Sequence, residues 1–278
     1  DLDKANISLI FIKNLHHEIL RKKEIDLEYD LSFDSFWKNH LNILQRNIKL
    51  IDISNEAKIP KETSRRKVQE LLKEKKFKKI NNVINWHPDQ LDKENYDKLI
   101  EKHLENLTNF IISLAIYLKI YLKKEVVKNE IKRNFSFYWF HYLNAQIKYL
   151  SIWKNLFSDL ELLMICIEIE IEAGIAYKKN LVSLENYYLF KKNKKVNFKI
   201  SSLSSSSISL STNLPRSTCI RKLKKLNKMK ILQKDLENKK YLIDTEGFYR
   251  FKRSNHKVID IFSDFYLIIL KNLMREKV

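Results

Sequence analysis

A stretch of 25 residues occurs twice in this chain. Ile53 through Phe77 aligns without a gap on Ile208 through Leu232. Ile59-Pro60-Lys61 meets Leu214-Pro215-Arg216, and Thr63 meets Thr218. Arg66-Lys67-Val68 meets Arg221-Lys222-Leu223, Leu71 meets Leu226 and Lys75 meets Lys230. An apolar frame, a proline, a threonine and an arginine all fall in register. A chain with this repeat must fold one local unit twice, so its architecture is read from that unit outward.

Within the unit, Ile53, Ala57 and Ile59 suit a short helix with an inward apolar side, capped by Asp52 or Ser54. Pro60 drives Ile59 out of the helical region and opens a second helix after a fixed turn. Ser64, Val68 and Leu71 then fall at i, i+4 and i+7 on one side, as do Cys219, Leu223 and Leu226. A small residue followed by two aliphatic ones suits two helices that cross closely. Each unit ends in a hairpin signal. The first is FKKINNVINW, turning at Asn81-Asn82, and the second is ILQKDLENKKYLID, turning at Glu237-Asn238.

The flanks are helical by pattern. Ile100, Leu104, Leu107, Ile111, Leu114, Leu118 and Tyr121 form a coiled-coil-like seam. Ile259, Phe262, Tyr266, Ile269 and Leu273 form another after the second unit, and Phe135 to Phe157 carries an aromatic stripe. Asp159–Lys179 reads as helix rather than strand, because Leu162-Leu163-Met164 breaks the alternation of its isoleucines. With only two Gly and three Pro in 278 residues, breakers are scarce. The expected fold is mainly α, with short β-hairpins and long flanking helices.

Charge is concentrated on the repeats. Lys61–Lys79 holds nine basic and three acidic residues and Pro215–Lys240 ten and two, so 45 residues carry +14 of the net +19. Four of the ten arginines, Arg65, Arg66, Arg216 and Arg221, lie on the two short second helices. Such clustering points to a polyanion, most simply nucleic acid.

The two segments, LPRSTCIRKLKKLNKMKIL and IPKETSRRKVQELLKEKKF, resemble the winged helix-turn-helix domains of bacterial transcription regulators of the IclR and MarR type. The likeness covers about 35 residues in each half, and the serine-rich SSLSSSSISLST is weak material for a first helix. Those regulators usually carry Gly where Lys75 and Lys230 stand, which implies a strained turn into the hairpin here. The resemblance implies tandem winged helix-turn-helix units with DNA recognition helices starting at Lys61 and Arg216. The expected halves are 1–128, with a unit at about 33–87 and a long helix at about 91–125, and 158–278, with a unit at about 199–245 and a helix at about 256–276. A connector helix, 129–157, lies between them.

Arg65 and Arg216 are candidates for base edges, and Thr63, Arg66, Thr218 and Arg221 for phosphates. Glu62 suits a cytosine amino group and Ile220 a thymine methyl. Lys61, Ser217 and Lys225 complete the two faces, with Lys78, Lys79, Lys239 and Lys240 on the hairpins. The expected function is a DNA-binding transcriptional regulator acting as an intrachain pseudo-dimer on double-stranded DNA, with unlike half-sites. The alternatives are a plasmid- or phage-type replication initiator with tandem winged helices, and a winged-helix adaptor that binds protein. The 100–121 seam is open to packing within the chain or to a homodimer.

No enzyme is expected: GxSxG, P-loop and Gly-rich fingerprints are absent. No cofactor is expected, and no metal, since His16, His17, His40 and His103 lack ligand spacing and Cys166 and Cys219 lie far apart. No effector is identifiable. No uncharged run of about 18 residues marks a membrane span. DLDKANIS lacks a signal-peptide pattern, so the expected location is the cytoplasm, on the nucleoid.

Overall fold

The computed structural model describes residues 1–179, 202–236, 239–244 and 251–275. They are mainly helical, with two small antiparallel sheets. The chain divides into two units, Asp1–Ser151 with Val258–Val278, and Ile152–Lys257.

In the first unit, α1 (Leu2–Ile25), α2 (Phe33–Asn39) and a short 3-10 turn precede α3 (Leu50–Ala57) and α4 (Lys61–Lys73). A hairpin follows, β1 (Phe77–Ile80) with β2 (Val83–Trp86), and then α5 (Gln90–Tyr117), α6 (Lys124–Arg133) and α7 (Phe135–Phe157), whose residues from Ile152 on belong to the second unit. The second unit contains α8 (Leu160–Lys179), β3 (Leu203–Ser204), α9 (Ser205–Thr212), α10 (Arg216–Lys228), β4 (Leu232–Lys234) and β5 (Lys240–Ile243). The chain then enters α11 (Lys252–Arg275), most of which belongs to the first unit.

Several bonds of the turn recur in both copies of the repeat. α3 ends on Lys58 with φ 53°, and α9 on Asn213 with φ 54°. The Ser54 hydroxyl donates to the Ile59 carbonyl at 2.6 Å, and the Ser209 hydroxyl to the Leu214 carbonyl at 2.6 Å. Ser64 and Cys219, both fully buried, direct their side chains to the same two carbonyls. The amide of Lys76 returns to the Leu71 carbonyl at 3.0 Å, and that of Ile231 to Leu226 at 3.0 Å. Lys75 and Lys230 occupy the left-handed region at φ 58° and 56°, which glycine adopts without a Cβ clash.

Packing follows the apolar pattern. Ile53, Ala57, Ile59, Val68, Leu71 and Phe77 join Ile7, Phe11 and Trp86 in one core, and α1 packs on both α3 and α4. In the second unit, Ile208, Leu223, Leu226 and Leu232 are buried, and α8 packs on α9, α10 and β5. Each fully buried aliphatic side chain stabilises by roughly 1.5–3 kcal/mol relative to exposure. α8 settles the strand question: Ile165 and Ile169 are buried while Ile167 and Ile171 are exposed, a split no strand could make. The seam of α5 packs with α6, α7 and α11 around Leu104, Ile111, Ile131, Tyr138 and Ile269.

The two hairpins differ. β1–β2 turns through Asn81 and Asn82 at φ 48° and 63°. In the second unit β5 lies between β3 and β4, giving a three-stranded sheet. The closing backbone bond joins His87 to Lys76 in the first hairpin and Asp244 to Ile231 in the second, which is longer by two residues. The expected turn at Glu237-Asn238 lies outside the described residues.

Four local expectations change. α3 begins at Leu50, with Lys49 at the cap position and no side-chain cap, so neither Asp52 nor Ser54 caps it. Ser54 points forward to the turn instead. The long helix stops at Tyr117 rather than about residue 125. Lys119 turns left-handed there, and the amides of Lys119 and Ile120 fold back onto Ile116 and Ala115. The connector is two helices, α6 and α7, broken at Asn134. The serine-rich stretch is a formed helix, α9, because Ser204 accepts from the Ser207 amide at its start and Ile208 anchors its buried side.

Candidate nucleic-acid interface

The outer face of α4 is built by helical spacing alone. With Ser64, Val68 and Leu71 inward, Glu62, Arg65, Arg66 and Gln69 turn outward and are exposed. On α10 the corresponding residues are Ser217, Ile220, Arg221 and Lys224, with Ile220 half-buried and the rest exposed. Lys61, Arg216 and Lys225 are exposed, and Thr63 and Thr218 half-buried. On the hairpins Lys78, Lys79 and Lys239 are exposed and Lys240 is half-buried. All the sequence-predicted residues are therefore at least partly accessible, grouped by unit.

Both helices start on proline, Pro60 at φ −54° and Pro215 at φ −53°, with no side-chain cap. Their first intrahelical amides are Ser64 and Cys219, which bond to the proline carbonyls. The preceding first-turn N–H groups thus have no helical partner, which adds positive potential at each N-terminus.

Electrostatically the two faces are unlike. α4 carries five basic and two acidic residues, α10 six basic and none acidic. Arg65 lies against Glu62, its Nε at 3.0 and 3.1 Å and its Nη2 at 2.6 Å from the carboxylate oxygens. These hydrogen bonds hold the Glu62 carboxyl below the ordinary carboxylate range. Arg66 stands 3.8 Å from Glu70, and Lys67 is engaged by Asp1 at 2.7 Å and Glu70 at 3.0 Å. On α10, among the described residues, no carboxylate lies within ion-pair distance of Arg216, Arg221, Lys224, Lys225 or Lys228.

Lys222 is the exception on α10. It is buried and pairs with Asp159 and with Glu161, the latter at 2.7 Å. Burial pushes its pKa down, and the hydrogen bonds to the two carboxylates outweigh that and leave it raised. This lysine belongs to the interior side of the helix, so the charge count of the segment overstates what faces solvent.

Sequence reading passed over Gln69 and Lys224. Both extend the outward stripe by one turn, and the i+4 and i+3 steps from Arg65 and Arg221 were the signal for them. The first hairpin is held by an aromatic group of Phe36, Trp37, Trp86 and Tyr96. Lys76 ties it to the start of α5 by bonding Asp89 at 3.0 Å and Asp92 at 2.7 Å. In the Ile100–Tyr121 seam, Ile100, Leu104, Leu107 and Ile111 are buried within the unit, while Leu118 and Tyr121, past the end of α5, are exposed.

Among the described residues, no helix is long and apolar enough to cross a membrane, and no three His, Cys, Asp or Glu side chains converge as metal ligands. In comparisons with known proteins, no family model, no curated protein and no solved structure matches the chain.

Proposed function

We propose that this chain binds double-stranded DNA through two winged helix-turn-helix units, with α4 and α10 as recognition helices, and acts as a transcriptional regulator on the nucleoid. The observation that carries the reading is the paired construction of α3–α4 and α9–α10. Both have the same left-handed turn, the same serine-to-carbonyl bond, the same aliphatic underside and an arginine-bearing outer face. Guanidinium suits both guanine edges and phosphates. Two such faces in one chain do the work a homodimer does with two copies.

The test is retardation of duplex DNA by the wild type and by the Arg66→Ala, Arg221→Ala double variant. Binding is expected for the wild type. If about 6–10 phosphates are contacted, affinity falls roughly 10³–10⁵-fold between about 50 and 200 mM salt. The double variant loses most of it. A wild type that fails to retard DNA at low salt, or a flat salt response, rejects the reading and favours a protein-binding adaptor.

A second reading, a replication initiator, is favoured by one observation. The outer faces share Thr63/Thr218, Arg66/Arg221 and Lys73/Lys228 but differ at Glu62/Ser217, Arg65/Ile220 and Gln69/Lys224, so the bound site has a direction. Head-to-tail repeats at an origin require such a directional site. A footprint over one asymmetric site supports the regulator, and a footprint over tandem direct repeats supports the initiator.

A further inference from the structure

The fork between Glu62 and Arg65 uses only one edge of the guanidinium. Nε and Nη2 face the carboxylate at 2.6–3.1 Å. The remaining donors include one hydrogen on Nη1 and the second hydrogen of Nη2, which form the terminal, end-on edge. That edge has the two parallel N–H groups that match O6 and N7 of guanine. Both side chains are exposed, 55% for Arg65 and 76% for Glu62, and both lie in the first turns of α4. An arginine braced in this way loses less rotamer freedom when it docks. It is also nearly neutralised, so it gains little from a phosphate, while its carboxylate is repelled by one.

The second unit has the reverse character. Ser217 and Ile220 stand where Glu62 and Arg65 stand in the first, so no such fork exists. Its outer cations, Arg221, Lys224 and Lys228, have no carboxylate partner among the described residues and are exposed. Unpaired cations of this kind bind the phosphate backbone whatever the base sequence.

We propose that the two units divide the task on a duplex: α10 anchors the protein to the backbone, and α4 discriminates, with Glu62 positioning Arg65 to read the guanine of a G·C pair. The inference rests on the DNA-binding reading above and adds to it which unit supplies affinity and which supplies selectivity.

The experiment selects bound duplexes from a library with a randomised central window, using the full chain as wild type, Glu62→Gln, Arg65→Ala and Arg221→Ala. The selected duplex and its single-base variants are then titrated at several salt concentrations. The wild-type selection is expected to fix at least one G·C pair. Glu62→Gln should bind unselected DNA as well as the wild type or a few-fold better, and lose about 5- to 150-fold of its preference at that one pair. Arg65→Ala should lose the same preference with little change in the salt slope. Arg221→Ala should weaken all duplexes alike and lower the salt slope by about 1, leaving the preference in place.

Failure of the wild type to bind any duplex removes both the reading and this inference. Binding without a fixed G·C pair, or an unchanged preference in Glu62→Gln, overturns the inference alone and leaves DNA binding standing. A shift of base preference in Arg221→Ala at the pair assigned to Arg65 overturns it too.

Discussion

Lys222, on the inward side of α10, bonds to Asp159 at the start of α8, and so fastens the second basic helix to the helix beneath it. Lys67, its counterpart on α4, reaches Asp1 at the start of α1 at 2.7 Å. The same tie, from the recognition-helix candidate to the first turn of the supporting helix, is thus present in both units. Lys222 is the more buried, its side chain 7% exposed, while Asp159 keeps about a third of its surface in water.

The two ends of that tie should respond differently to mutation. Asp159→Ala leaves a buried ammonium with Glu161 as its remaining acceptor and also removes the bond from the Glu161 amide. It should cost about 2 kcal/mol or more. Lys222→Met leaves two carboxylates that water can reach, and should stay within about 1 kcal/mol of the wild type. Chemical denaturation of both variants checks the ranking, and the reverse order would refute it.

His16 gives the first unit a dependence on pH. It is wholly buried, stacked on Phe36 at 4.7 Å and edge-on to Phe135 at 5.4 Å, with neither ring nitrogen hydrogen-bonded. Burial lowers its pKa from 6.5 to about 3. The unfolded chain therefore takes up a proton below about pH 6.5 that the folded chain refuses. The stability this group contributes is complete above that pH. It declines by up to roughly 1.4 kcal/mol per unit as pH falls toward 3. His16→Phe should flatten the decline, read as Tm against pH across that window.

Lys75 and Lys230 pay for their left-handed backbone in strain. Lys75→Gly and Lys230→Gly should each stabilise by about 0.5–1 kcal/mol, since glycine takes this conformation without a Cβ clash. A rise of a few degrees in Tm is the expected reading. A fall in both variants would mean that the lysine stems pack more than they strain.

Ser54 and Ser209 make the same 2.6 Å bond to the carbonyl before the turn proline. Ser54→Ala and Ser209→Ala should each cost about 1 kcal/mol. Similar losses at positions 155 residues apart would show that the turn is held by the same bond in both units. A loss at one alone would show that the two turns are held by different means.

Much of this was legible in the primary structure. The i, i+4, i+7 spacing of Ser64, Val68 and Leu71 identified the buried side of α4, and Cys219, Leu223 and Leu226 that of α10. Asn81-Asn82 identified a hairpin turn that needs two positive φ angles. The misses have local causes. The end of α5 is marked by Lys119, not by a glycine, so nothing in the pattern announced it. The serines around Ile208 are weak helix material by propensity, which ignores what one buried isoleucine and a serine cap contribute together. Lys222 sat in a run of basic residues, and its partner Asp159 lies 63 positions away.

By itself the sequence determined that the protein is mainly helical, that one unit is made twice, and which face of each unit is apolar. These follow from covalent periodicity, which depends on near neighbours alone. Only the tertiary structure decided which basic groups are tied to carboxylates and which face solvent. It ties Lys67 and Lys222 to distant carboxylates and leaves Arg216 and Arg221 exposed. The physical reason is that an ion pair depends on where two side chains meet in space, and for Lys67 and Lys222 the partner lies more than 60 residues away along the chain.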